Sequence, residues 1–383
     1  MPLSRRSFVR SVLSIAPAAS SALAARGLEA LAAGVPPPDG EPIRLDSNEN
    51  PLGPGPAALA ALERGLPQGN RYPMNSRPSM FDLRAAIARA HDAKQENVVL
   101  GAGSREILRN AVQAFATRER PLVTAAPSYE APERRAEQLG IPVRRVPVDA
   151  AGRIDLDRLA AAARGAGLVF LCNPNNPTGT VLPAAAVTDF LARVGRESPG
   201  TIVLVDEAYH DYVTDPAYAS AAPTALAEPH VFVTRTFSKA HGMAGLRVGY
   251  AVGHPKTIAV LQRWAMPYHQ TAPGVAAALA SLEDRDHIAE ERRRNAEARA
   301  FAARFFETAG YRAMDSQTNF LFVDLRRPAA EFREACRRHS VLVGRDFPPL
   351  EKTHVRISIG TMEEMRRAVE VFRTVLGLST AMK

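Results

Sequence analysis

Across residues 72–282, short apolar runs alternate with longer stretches whose apolar positions recur at helical spacing. The runs fall at 98–100, 122–124, 143–146, 168–172, 202–205, 231–234 and 248–252. Between them, Ile107, Leu108, Ala111, Val112 and Phe115 share one helical face, as do Leu156, Leu159, Ala160 and Ala163. Alternation of this kind predicts an α/β domain, with a mostly parallel seven-stranded sheet sandwiched by helices.

The pattern then changes. A long charged helix is expected over 285–308, followed by a strand at 320–325, a helix over 329–339, strands at 341–343 and 355–359, and a last helix over 363–376. This predicts a smaller α+β domain. The division expected is 1–33 as an export segment, 34–70 as an arm joining the small domain, 71–282 as the large domain and 283–383 as the small one. No internal repeat is visible.

A chain of 383 residues, 46% hydrophobic and 23% charged, is large enough for two cores. Its N-terminus stands apart: Ser4-Arg5-Arg6-Ser7-Phe8-Val9-Arg10 precedes an alanine- and serine-rich run, with Ala-x-Ala sites at Ala22-Leu23-Ala24 and Ala30-Leu31-Ala32. That predicts a twin-arginine export signal and a periplasmic mature protein; an amphipathic N-terminal helix or an uncleaved anchor is the other reading. No later segment approaches the roughly 20 apolar residues needed to cross a bilayer, so no membrane is expected for the mature form. The net charge of +8 comes from basic residues scattered among acids, without the clustering that nucleic acid requires. Cys172 and Cys336 fall in apolar patterns as buried spectators, and no Cys/His cluster has zinc spacing, so no metal is expected.

In open α/β sheets, ligands bind beyond the carboxyl ends of the strands. There are only five lysines, and only Lys239 follows an apolar strand, within Thr236-Phe237-Ser238-Lys239-Ala240-His241-Gly242. Schiff-base chemistry needs a primary amine that can lose its proton, which arginine cannot supply. Ser238 and Arg247 pair a hydroxyl with a guanidinium fork, suited to a phosphate. Asp206, at the end of the run 202–205, is costly to bury unless it faces a cation; a pyridinium nitrogen is one, and a helix cap is the alternative. Asn176, in Asn173-Pro174-Asn175-Asn176-Pro177-Thr178-Gly179, and Tyr209 are placed to donate to a ring oxygen. Gly103-Ser104-Arg105 opens a helix whose amides favour an anion, and Tyr129 offers a ring for stacking or for ordinary core packing. The Gly101-Ala102-Gly103 turn lacks the third glycine of a dinucleotide fingerprint.

Taken in order, Asn48-Glu49-Asn50-Pro51-Leu52-Gly53-Pro54, Arg71-Tyr72-Pro73, Gly103-Ser104, Pro127-Ser128-Tyr129, the Asn173–Gly179 turn, Asp206-Glu207-Ala208-Tyr209, Ser238-Lys239 with Arg247, and Arg356-Ile357-Ser358-Ile359-Gly360 resemble the histidinol-phosphate aminotransferases. The resemblance spans about residues 44–376. It implies a fold-type I enzyme dependent on pyridoxal 5'-phosphate, with Lys239, Asp206 and Tyr209 catalytic. Gly103, Ser104, Arg105, Tyr129, Asn176, Thr236, Ser238 and Arg247 would hold the cofactor, joined by Tyr72 from the partner of a homodimer. Arg356 and Arg345 would bind the acidic end of the substrate and Asn50 would also contact substrate, although surface ion pairing is the other reading of the two arginines. The implied reaction passes an amino group from a donor (histidinol-phosphate-like or aromatic) to a 2-oxo acid by way of pyridoxamine phosphate. Decarboxylation or elimination on the same fold, as in threonine-phosphate decarboxylases, and a non-catalytic exported binder are the alternatives. The chain departs from the family pattern at Arg105, where an acidic residue is common, at His241, and in having no tyrosine between Gly27 and Asn50.

Overall fold

All seven apolar runs become strands of one sheet. The computed structural model describes residues 41–378, so the expected export segment 1–33 lies outside the described residues. The strands are β1 (Ile43–Leu45), β2 (Val98–Ala102), β3 (Leu122–Ala126), β4 (Val143–Pro147), β5 (Leu168–Cys172), β6 (Ile202–Asp206), β7 (Val231–Thr236), β8 (Val248–Gly253), β9 (Arg312–Ala313), β10 (Phe320–Asp324), β11 (Val341–Val343) and β12 (His354–Ser358). The large sheet runs β2-β8-β7-β6-β5-β3-β4, with β8 antiparallel to both neighbours and the remaining pairs parallel.

The strand pleat sorts side chains between two cores. Val169 and Leu171, Val203 and Val205, and Val231 and Val233 pack with Phe190, Leu191 and Val194 of the helix Ala184–Glu197. Their chain neighbours Phe170, Leu204 and Phe232 face Ile107, Leu108 and Val112 of the helix Ser104–Phe115 on the other side. Both faces are thereby removed from water, which is why these strands read as unbroken apolar runs.

The small domain carries the sheet β12-β10-β9 and a parallel pair β1-β11. Its core joins Ile43 and Leu45 to Phe306, Phe332, Phe372 and Ile357. The helix Pro56–Gly65 turns the other way: Ala58 belongs to the large-domain cluster with Leu83 and Val275, and Gly65 lies against Pro273 of the helix Ala272–Glu283. The segment 46–50 therefore runs between the two cores. Among the described residues no helix is long and apolar enough to cross a membrane.

Candidate active site

A cavity of about 760 Å³ opens at the carboxyl ends of β5, β6 and β7, where the two domains meet. Ser104, Arg105, Tyr129, Asn176, Asp206, Tyr209, Thr236, Ser238, Lys239, Arg247, Arg345 and Arg356, all singled out from sequence, line it.

Asp206 ends β6 and is 2% exposed. Thr234, its register partner on β7, donates to Oδ1 at 2.9 Å. Burial pushes the carboxyl up to about 7, only partly opposed by that hydrogen bond. The adjacent Glu207 points to the other face of the sheet, where it accepts from Arg235 at 2.9 Å and from Ser220 at 2.7 Å. Of two consecutive acids, one is structural and one faces the cavity without a cationic partner.

The anion end is built from backbone approach. Gly103 has φ 70°, and a Cβ there would lie 2.4 Å from Arg247 Nη2; a Cβ on Gly249 would lie 2.3 Å from the Ser104 nitrogen. Both positions need glycine for the helix Ser104–Phe115 to start against β8 beside Arg247. Arg247 donates to the Ala102 carbonyl at 3.2 Å and to Ser238 Oγ at 3.4 Å, and Thr236 Oγ1 donates to the same Ser238 oxygen at 2.9 Å. Helix amides, two hydroxyls and the guanidiniums of Arg247 and Arg105 make this wall suited to a phosphate.

Lys239 Nζ donates to the Asn48 carbonyl at 3.0 Å. Burial, followed by Arg356 and Arg247, pulls its amine down to about 8, so about a tenth is neutral and nucleophilic at pH 7. Tyr209 Oη accepts from Asn48 Nδ2 at 3.0 Å and from Asn176 Nδ2 at 3.3 Å, which leaves its own proton to donate into the cavity. Burial raises the Tyr209 pKa and keeps that proton in place.

Asn48 is the functional residue that sequence reasoning passed over. Its φ of 54° is left-handed, a conformation asparagine tolerates better than most. Besides holding Lys239 and Tyr209, it accepts from Asn319 at 3.0 Å, accepts from Ser358 at 3.0 Å and donates its own N–H to Ser358 at 2.8 Å. The signal lay in the Asn48-Glu49-Asn50 motif, but the role was given to Asn50. Asn50 does not line the cavity in the single chain: its amide donates to the Ala240 carbonyl at 3.0 Å and its oxygen accepts from Leu52, so it fixes the loop after Lys239. Tyr72 also lies away from the cavity, 64% exposed and stacked on Tyr268 with centroids 4.9 Å apart. His241 is packed: its ring lies tilted against Phe237 with centroids 4.7 Å apart and shares a hydrogen bond with Ser281 at 2.7 Å. Cys172 and Cys336 are free and buried.

The remaining wall carries Arg356, Arg345, Arg333, Arg134 and Glu130. Arg356, on β12, donates to Asn176 Oδ1 at 2.9 Å and to the Asp46 carbonyl at 2.6 Å, while its Nε is buried with no partner. Burial pulls its pKa down to about 10. Arg345 lies over the Phe347 ring and is ion-paired to Glu130.

Pyridoxal phosphate fits these walls. Its cationic ring nitrogen is what the buried Asp206 lacks, its phosphate is what the Ser104, Ser238 and Arg247 wall is built to hold, and its aldehyde requires the neutral amine of Lys239. When bound, it supplies an electron sink for the carbanion at the substrate α-carbon.

Residues 41–372 match the family model for aminotransferase class I and II. The chain is 38% identical to a histidinol-phosphate aminotransferase of Symbiobacterium thermophilum, covering 88% of this chain and 91% of that one. It is 33% identical to an aromatic amino acid aminotransferase of Thermobifida fusca, over 88% and 91%. Among solved structures it is similar to the histidinol-phosphate aminotransferase of Sinorhizobium meliloti in complex with pyridoxal-5'-phosphate, with a TM-score of 0.80, 27% identity and 98% of each chain covered. The sheet order, the lysine and aspartate at its carboxyl edge and these matches along most of the chain agree: this protein belongs to the class I and II aminotransferases and is a pyridoxal-phosphate-dependent enzyme of fold type I.

Proposed function

We propose that this aminotransferase moves an amino group from a donor with an aromatic or imidazole-bearing body and an anionic group to a 2-oxo acid, as a homodimer in an exported compartment. Arg356 carries the substrate reading: a buried guanidinium lining the cavity, with hydrogen bonds only to neutral oxygens and Nε unpartnered, lacks an acceptor that a substrate anion supplies. The relatives named for histidinol phosphate and for aromatic amino acids support the choice of body. The exposed, mutually stacked Tyr72 and Tyr268, with Trp264 and Met266 exposed on the same loop as Tyr268, support pairing of two copies. The Arg5-Arg6 motif supports export of the folded, loaded enzyme, since the twin-arginine route carries folded proteins.

The test is a donor panel on the loaded enzyme, following conversion of the cofactor to its amine form. Aromatic and imidazole donors bearing an anionic group should convert it, and phenethylamine, which bears none, should not. Arg356→Gln should lower kcat/KM for the anionic donors on the order of 100-fold. Equal use of phenethylamine would sink the anion-binding part of this reading, and release of carbon dioxide without the amine form would sink the transfer itself in favour of a decarboxylase. Export is checked by fractionation: an Arg5→Lys, Arg6→Lys double variant should stay in the cytoplasm.

A further inference from the structure

We propose that Glu130 is a specificity-determining residue, an internal counter-ion for Arg345 that leaves one uncompensated positive charge at the substrate end of the cavity. It thereby selects donors bearing a single carboxylate over phosphate esters. The inference rests on the aminotransferase reading above and narrows its substrate.

Three arginines of the small domain line that end: Arg333, Arg345 and Arg356. Two already carry a carboxylate of this chain. Arg333 Nη2 lies 2.7 Å from Asp346 Oδ1, and Arg345 Nη2 is in close contact with Glu130 Oε1. Among the described residues Arg356 forms no ion pair; Asp46 and Glu49 line the same cavity but are not bonded to its guanidinium through their carboxylates. Arg134 on the large domain approaches Glu130 at 3.7 Å with its side chain 59% exposed, and water screens it. The Arg345 side chain is itself 46% exposed but is neutralised by Glu130, so Arg356 is the buried guanidinium left for substrate.

Glu130 is well placed for this. It follows Tyr129 and precedes the helix Ala131–Gln138, so the large domain holds it in the cavity wall, whereas Arg345 follows β11 in the small domain. Its Oε1 serves Arg345 and its Oε2 is buried with no partner among the described residues, so the carboxylate sets a fixed negative charge in the cavity wall. The Arg345 contact, with its own backbone amide, outweighs burial and holds the carboxyl below its usual range, which keeps it ionised at neutral pH. A phosphate ester would bring a charge of nearly −2 against a carboxylate already seated on Arg345, and like charges at short range repel, least screened on the buried side of the Glu130 carboxylate. A monocarboxylate meets Arg356 alone and leaves the Glu130–Arg345 pair intact.

The experiment uses the loaded enzyme as wild type, Glu130→Gln and Glu130→Ala, with histidinol phosphate and phenylalanine as donors. Inorganic phosphate binding is measured in parallel by calorimetry. Wild type should favour phenylalanine, and both variants should raise the histidinol phosphate to phenylalanine ratio of kcat/KM by about tenfold and tighten inorganic phosphate by a similar factor. An unchanged ratio together with unchanged phosphate affinity in both variants overturns the assignment. If neither donor converts the cofactor yet phosphate binding tightens, the donor reading fails while the role of Glu130 stands.

Discussion

Lys239 and Asp206 are both drawn toward their neutral forms by burial, and that shared bias has a measurable cost in the cofactor-free protein. The folded pKa of Asp206, about 7, lies above its ordinary 3.8, so stability is fully present below pH 4 and is lost as pH rises through 7, when a buried carboxylate must ionise without a cation. Asp206→Asn removes that cost. Cofactor-free Asp206→Asn should be more stable than wild type at pH 8 by on the order of 2 kcal/mol, with the gain shrinking toward pH 5. With the cofactor bound the order should reverse, because the amide cannot partner a protonated ring nitrogen. Thermal unfolding of both forms at the two pH values checks this; a variant less stable at pH 8 without cofactor would show that the hydrogen bond from Thr234 matters more than desolvation. Nothing local distinguishes Asp206 from Glu207 in this respect. Their position at a strand end was legible, but which of the two faces the cavity depends on the pleat of a sheet assembled from distant segments.

At the scale of elements, the strands were the most legible part because burial on both faces leaves an unbroken apolar run in the sequence. The helices over 285–308 and 329–338 were equally plain from their charged faces. The segment 46–50 was not, since its order comes from Ser358, Asn319 and Tyr209, all distant in sequence. The same holds for the junction of β8 with the helix Ser104–Phe115. Gly249 looks like an ordinary strand residue, yet a Cβ there would meet the Ser104 nitrogen at 2.3 Å and the Gly103 carbonyl carbon at 2.6 Å, both backbone atoms that cannot swing aside. Gly249→Ala must push the helix N-terminus out of the phosphate wall. The expected cost is about 3 kcal/mol in stability and at least about tenfold in cofactor affinity, read by unfolding and by cofactor titration. A variant destabilised but with unchanged cofactor affinity would mean that the helix amides contribute little to holding the phosphate.

At the scale of the whole molecule, one chain supplies Asp206, Lys239, Ser238 and Arg247 to the cavity but leaves Tyr72 outside it. Tyr72 and Met266, 64% and 63% exposed, sit beside Tyr268 and Trp264 in one exposed apolar patch, the kind of surface that marks an interaction site. If the proposed homodimer covers them, two substitutions should separate two roles. Trp264→Glu places a charge in the pairing face, so sedimentation should show monomers at micromolar concentration, and cofactor retention should fall with pairing. Tyr72→Phe keeps the apolar ring and removes only the hydroxyl; it should remain dimeric yet hold cofactor about tenfold more weakly, the worth of one hydrogen bond to a charged group. Wild-type protein that sediments as a monomer with full cofactor occupancy would refute both, and would require the phosphate wall of a single chain to be complete as it stands.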